Sequence, residues 1–473
     1  MPDSGSDLVG RRPGLDLAEI LPDWSGEHRT RLINRAVFDP ASAGFARLHN
    51  DNEGRVRGFL TARWLKRLMQ ANCPKAEVAD ILFATTYGLP LVIPSMRQTA
   101  AWLSLWNPDV AREAIRRDPR LLMDAGDPAS LRLPFREEVL QAVVAQVVDN
   151  EEIEIPDRDS LKRFASPDIA PCLRALWAAH GGSPALRELL LLMIWLGELT
   201  SCADLAIAAS FGAHGDRYSQ VFSGRALMVT ASEAEKRRYA AYVRDNAGSI
   251  LSVLVWDAVD ALFPIFLSVA DFLLILRLVD ATDRSGGLGL DHLGPNLTDR
   301  LQSVAQVEQL TAGLLDRFET GLNPTIEREL PSDDPLLSTL EGAGRRLLEL
   351  VPPTDAPQLA IDAALRLGVN RRYKPWPLRH NDTADLFSLL QATSERRRAA
   401  LWQAVNRFVG AQILSHPITD FGTLRILGFP LELQLDDFDW LLEDAERGPA
   451  VNERQVAASA ALGLWRQGGS RPD

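Results

Sequence analysis

The residues best suited to chemistry in this chain form four kinds of group. The first is the glycine-rich phrase SGGLGLDHLG, residues 285–294. Gly286-Gly287-Leu288-Gly289-Leu290-Asp291 matches one copy of the nonapeptide that binds calcium in parallel β-helices. That site shares its ligands between successive turns, so a lone copy is incomplete, and a turn between helices is expected here. A phosphate cradle would need a preceding strand and a Gly-Lys-Ser/Thr behind the glycines, and no GxxxxGK[ST] occurs anywhere. The second group is the histidines: His28, His49, His180, His214, His292, His380 and His416 fall in turns or at helix ends. Neither an HExxH motif nor an i,i+4 histidine pair is present to seat a catalytic metal. The third is two acidic clusters, DNEEIEIPDRD (149–159) and QLDDFDWLLEDAE (434–446). Paired carboxylates serve acid–base chemistry or hard cations. Asp436, Asp437 and Asp439, however, read as charges at the start of the following helix, where the dipole favours them. The fourth is the basic runs EKRRY (235–239), NRRYKPW (370–376) and ERRRAAL (395–401). Arg396, Arg397 and Arg398 occupy successive helical positions, so they spread around the helix and form no stripe for phosphates. With no GxSxG elbow and no cysteine or serine in a nucleophile setting, no catalytic residue, metal or cofactor is expected from linear motifs.

Composition narrows the classes further. The chain has 473 residues, 46% hydrophobic and 24% charged, which suits a globular protein with a sizeable core. A net charge of −12 argues against a broad nucleic-acid footprint. Cys73, Cys172 and Cys202 are odd in number and far apart, which points away from a disulfide framework and towards a reducing cytoplasm. The start, MPDSGSDLVGRRPGLDL, has no apolar signal region. The run LRELLLLMIWLGEL (186–199) is too short to span a bilayer, and residues 250–279 are interrupted by Asp257, Asp260 and Asp271. Both are expected to be buried helices, with no membrane association.

Helical periodicity must position any site this chain has. Apolar residues recur near i, i+3, i+4, i+7 in segments including ADILFATTYGL, PFREEVLQAVVAQVVDN, SPALRELLLLMIWLGELT and TADLFSLLQATSERRRAALWQAVNRFVGAQIL. Only PLVIP and RALMVT carry strand character, and neither alternates long enough to seed a sheet. Asn107-Pro108, Asp127-Pro128, Ser183-Pro184 and Asp334-Pro335 place a capping residue before a proline, a helix-start signal. Pro264 ends one helix and starts the next. The expected fold is all-α: an irregular, HEAT-like α-solenoid of stacked helical hairpins without a strict repeat. Its regions are an N-terminal extension (1–30), a first helical region (31–150), a central repeat region (151–350) and a C-terminal helical region (351–473).

One stretch resembles a known family. VRGFLTARWLKRL (56–68) is similar to the helix that follows the nucleotide-binding module of bacterial STAND NTPases of the NACHT type. Phe59, Leu60, Ala62, Arg63, Trp64 and Leu65 fit its closing phrase, while Gly58 stands where the family has an acidic residue. Asp118-Pro119, Leu121-Leu122, Gly126-Asp127-Pro128 and Leu131 resemble the turns of the helical unit after it, and residues 262–297 resemble an interior stretch of such proteins. The resemblance covers about residues 30–445. It implies the helical sensor half of a signalling switch, many of which act in bacterial defence against phage. It also implies a separate partner carrying the P-loop NTPase.

Independently of that resemblance, a stacked helical array offers a long surface whose exposed side chains vary without disturbing the core, so its work is binding a protein partner. Arg372 and Trp376, an arginine and a tryptophan on a turn, are the expected partner contacts. Two other classes remain open: an enzyme whose site converges from several helices, and a nucleic-acid-binding repeat protein.

Overall fold

The computed structural model describes residues 25–27, 38–39, 47–48, 53–150, 156–212, 216–280, 296–320, 335–369, 385–410, 418–427 and 429–468. Their backbone is overwhelmingly helical, as expected, and the described strands form only two short antiparallel pairs. By contacts the chain divides into two compact units, Met1–Ala231 and Ser232–Asp473.

In the first unit, β1 (Phe38–Asp39) pairs with β2 (Arg47–Leu48) ahead of α1 (Glu53–Gln70) and α2 (Lys75–Leu82). A second hairpin, β3 (Phe83–Thr86) and β4 (Leu89–Val92), follows directly. The rest is helical: α3 (Arg97–Ser104), α4 (Pro108–Arg117), α5 (Leu121–Asp124), α6 (Leu133–Asn150), α7 (Arg158–Phe164), α8 (Ala170–His180), α9 (Pro184–Leu196), α10 (Ala203–Phe211) and α11 (Arg217–Thr230). Helix α1 packs on α3, and α9 and α10 pack on α11. The α1–α3 contact depends on Gly58, where a Cβ would sit 2.4 Å from Gln98 Cβ. Leu60, Ala62 and Leu65 bury the same helix in the core, and Phe59 meets Trp102 edge to face with ring centroids 5.0 Å apart. The apolar run of α9 is core: Leu186 and every residue from Leu189 to Ile194 are buried.

The second unit comprises α12 (Glu233–Asn246), α13 (Ser252–Leu262), α14 (Val269–Asp280), α15 (Val304–Thr320), α16 (Pro335–Leu350) and α17 (Gln358–Val369). Five more follow: α18 (Leu386–Gln391), α19 (Ser394–Gly410), α20 (Phe421–Ile426), α21 (Phe438–Arg447) and α22 (Val451–Gly468). Here the main packing joins each helix to those one or two places away along the chain. Pro264 lies between α13 and α14, as its position predicts.

Helix starts follow the capping chemistry of the sequence. Asn107 accepts from the backbone N–H groups of Asp109 and Val110, at 2.9 and 3.2 Å. Asp157, Asp216, Asp385 and Asp420 each accept from the N–H three residues on, supplying orphan donors with a partner.

Two segments depart from expectation. RALMVT lies inside α11, where Ala226 and Leu227 are buried on its inner face, so helical context overrides its β character. ADILFATTYGL is not one helix. It stops at Leu82 and becomes a strand, because Phe83-Ala84-Thr85-Thr86 pairs with Leu89–Val92 across a two-residue turn. Tyr87 and Gly88 both have positive φ, 54° and 79°, the backbone of a type I′ hairpin turn. Among the described residues no helix is long and apolar enough to cross a membrane.

Candidate functional site

Several candidate residues fall outside the described residues: Arg372 and Trp376, the glycine-rich phrase 285–294, and every histidine except His180, which ends α8. No group of three or more potential metal-ligating side chains occurs among the described residues.

The run Arg396-Arg397-Arg398 and the acids that follow Gln434 form one network, which the sequence did not join. Arg396, 3% exposed, donates only to carbonyls: Asp355 and Leu389 at 2.9 and 3.0 Å, Leu348 and Pro352 at 3.2 Å. It thereby ties the ends of α16 and α18 to the loop before α17. Arg397, 1% exposed, reaches the fully buried Asp437, with Nε 2.7 Å from Oδ2, and grips Asp436 through Nη2 at 2.6 and 2.7 Å. Asp437 also accepts from Ser394 Oγ at 2.7 Å, Trp440 Nε1 at 3.0 Å and the Gln434 N–H at 2.8 Å. Burial alone would raise its pKa; the Arg397 guanidinium and the other donors more than offset that, and the carboxyl sits below its usual range. Arg398 pairs with Asp444 and lies over the Trp440 ring, 5.5 Å from its centroid. All three guanidinium groups are therefore held within the unit. The spread around α19 read from the sequence sends each arginine to a different neighbour.

One carboxyl in the same unit is perturbed in the opposite sense. Glu341 on α16 is 9% exposed, and burial, with the nearby Asp385 carboxylate, pushes its pKa up to about 7 against the pull of Arg345.

The β3–β4 hairpin is an exposed feature of the first unit. Its base is fixed: Phe83 and Val92 are buried, and Arg117 of α4 lies over the Phe83 ring at 5.3 Å. The same guanidinium donates to the carbonyls of Ala84 and Leu91, one on each strand. Its tip is bare: Tyr87 is 100% exposed and Leu89 69% exposed, with Thr85, Thr86 and Pro90 also exposed. A tyrosine at φ 54° carries backbone strain of about 1–3 kcal/mol that Asn or Gly would relieve. The turn gains nothing structural from this ring. The sequence signal was present in Tyr-Gly between Thr-Thr and Leu-Pro, a turn pair flanked by strand formers, but helical periodicity from Ala79 masked it. Ile81 at the end of α2 adds a half-exposed apolar neighbour in sequence.

Comparison with protein-family models, with curated proteins and with solved structures finds no match to this chain.

Proposed function

We propose that this protein is a helical protein-interaction scaffold, an irregular HEAT-like array that docks a partner through the β3–β4 finger. The observation that carries the reading is Tyr87: an aromatic ring fully exposed, in a strained conformation, at the tip of a hairpin clamped at its base. A local rule broken without structural return marks a residue kept for function, and a rigid, exposed tyrosine is a typical interface anchor. Neighbour-to-neighbour helix packing in the second unit supports the array, since each helix there leans on those next to it. The resemblance of VRGFLTARWLKRL to STAND proteins extends the proposal to a sensor working beside a P-loop NTPase in bacterial defence. Gly58 fits a structural role for that helix, because it admits α3 at close range.

The test is affinity capture from source cells with quantitative mass spectrometry, comparing wild type with Tyr87→Asn, Leu89→Ser and, as control, Lys236→Ala on α12. Asn suits the turn, so Tyr87→Asn stabilises the finger by about 1 kcal/mol while the specific partner is lost. Capture of the same proteins by all four forms would remove the finger from the interface and defeat the proposal. A second reading, an enzyme with a site between helices, draws on Glu341, whose pKa near 7 suits general acid–base work.

A further inference from the structure

The loop between α8 and α9, Gly181-Gly182-Ser183, leads into a helix start whose donors lack acceptors. Pro184, at the first helical position, has no N–H to offer. Ser183 makes no capping hydrogen bond, and the N–H groups of Ala185 and Leu186 meet no acceptor among the described residues. Arg187, in the same turn, donates its backbone N–H to the Ser183 carbonyl at 3.0 Å. Its guanidinium is poorly satisfied: Nη2 donates to the Gly182 carbonyl at 3.3 Å, Nε is buried without an acceptor, and Nη1 has none among the described residues. The Gly182 contact sets the group beside the start of α9, since a helical side chain leans towards its own N-terminus. Arg187 is nonetheless only 7% exposed. A guanidinium so far from water ordinarily has a carboxylate or a full set of carbonyls. Arg136 has Asp168, Arg345 has Asp299 and Glu349, Arg397 has Asp437, and Arg396 has four carbonyls. Arg187 pairs with no carboxylate among the described residues. Glu188, the next residue, is not its counterion: burial, and then the Asp216 carboxylate, raise the pKa of that side chain.

We infer that the start of α9 is a binding site for a small oxyanion of the phosphate type. The anion accepts from the Ala185 and Leu186 N–H groups and the Ser183 hydroxyl, and the Arg187 guanidinium supplies the countercharge. A helix N-terminus favours negative charge, and guanidinium groups match phosphate oxygens in geometry as well as charge. The ground beside the loop is open. Gly182 and Pro184 are exposed, and a Cβ built on Gly182 would meet nothing within 4 Å. Two backbone donors, a hydroxyl and a guanidinium outnumber the two oxygens of a carboxylate and suit those of a phosphate. The bound anion neutralises a buried charge that no side chain of the described residues neutralises. The net charge of −12 works against any anion, so the affinity is modest. Free phosphate and the phosphate of a small organic monoester share this chemistry.

The experiment is isothermal titration calorimetry of the full chain with two probes, inorganic phosphate and phenyl phosphate, with ionic strength held constant by sodium chloride. Wild type is expected to bind a single anion per chain with Kd of about 1 mM or below. Ser183→Asp gives the same two N–H groups a carboxylate cap and meets the anion with a like charge. Binding then weakens about tenfold or more, while the melting temperature does not fall. Arg187→Met keeps an apolar stem and weakens binding about tenfold. Should that buried change unfold the first unit, Ser183→Asp carries the test alone. Tighter binding of phenyl phosphate assigns the site to an organic monoester; equal or weaker binding assigns it to the free anion. No saturation of wild type by either probe up to about 10 mM, or an affinity that Ser183→Asp leaves unchanged, overturns the assignment.

Discussion

Replacing Asp437 with alanine removes the only fully buried carboxylate of the arginine network and leaves its partners in place. Arg397, 1% exposed, loses its Nε contact at 2.7 Å and retains Asp436, whose side chain is 60% exposed. Ser394 Oγ and the Gln434 N–H lose their acceptor at the same time, and Trp440 Nε1 keeps only Ser394 Oγ, at 2.9 Å. Removing one partner of a buried pair costs about 3–5 kcal/mol, and the Arg397 charge left behind keeps only the largely exposed Asp436 as its carboxylate. For a unit of this size that is a fall in melting temperature of about 10 °C in the transition that reports the second unit. Urea denaturation followed by tryptophan fluorescence measures it directly. The double variant Arg397→Met/Asp437→Leu recovers most of the loss, since removing both charges also removes the burial penalty. The native pKa of Asp437 lies below its unfolded value, so its stabilisation is complete above the unfolded pKa and is lost as pH falls through the native one. Wild type and D437A therefore converge in acid. A loss under about 1 kcal/mol at neutral pH, or a gap that persists at low pH, would refute the claim that this pair holds α19 to α21.

Two further outcomes follow from the same physics. Glu341 has a native pKa of about 7 against an ordinary 4.5, so its contribution is full in acid and fades as pH rises to 7. Glu341→Gln matches wild type near pH 4 and exceeds it by up to about 3 kcal/mol at pH 8 in chemical denaturation; equal stability throughout that range would show the carboxyl is not desolvated. Gly58→Ala adds a methyl 2.4 Å from Gln98 Cβ, and the clash outweighs a helix-propensity gain of about 1 kcal/mol. Thermal melting should show the first unit destabilised by about 1–3 kcal/mol, whereas a more stable variant would mean α1 and α3 separate easily.

The helical class was legible because burial and periodicity agree along segments such as α9 and α16. Caps were legible because an Asx side chain three residues before a free N–H is a local device, as at Asn107. The hairpin was not: Ala79, Leu82 and Phe83 continue a helical period, and the decision falls to Tyr87-Gly88 and to strand pairing four residues away. The arginine network was not legible either. Arg397 and Asp437 are 40 positions apart, and neither local charge pattern names the other. Read singly, one looked like a dispersed basic run and the other like helix-start acid; together they are the inside of a folded unit.

The finger's edges have a consequence for the protein in concentrated solution. Pro90 pairs with Thr85 at a position whose N–H would point outwards, so β4 lacks that donor. Phe83, at the matching outward position of β3, already gives its N–H to Ala79. Each border thus keeps one main-chain donor, too few to nucleate a growing cross-β stack. The chain can display a bare tyrosine on a β-ribbon without recruiting further copies of itself into fibres.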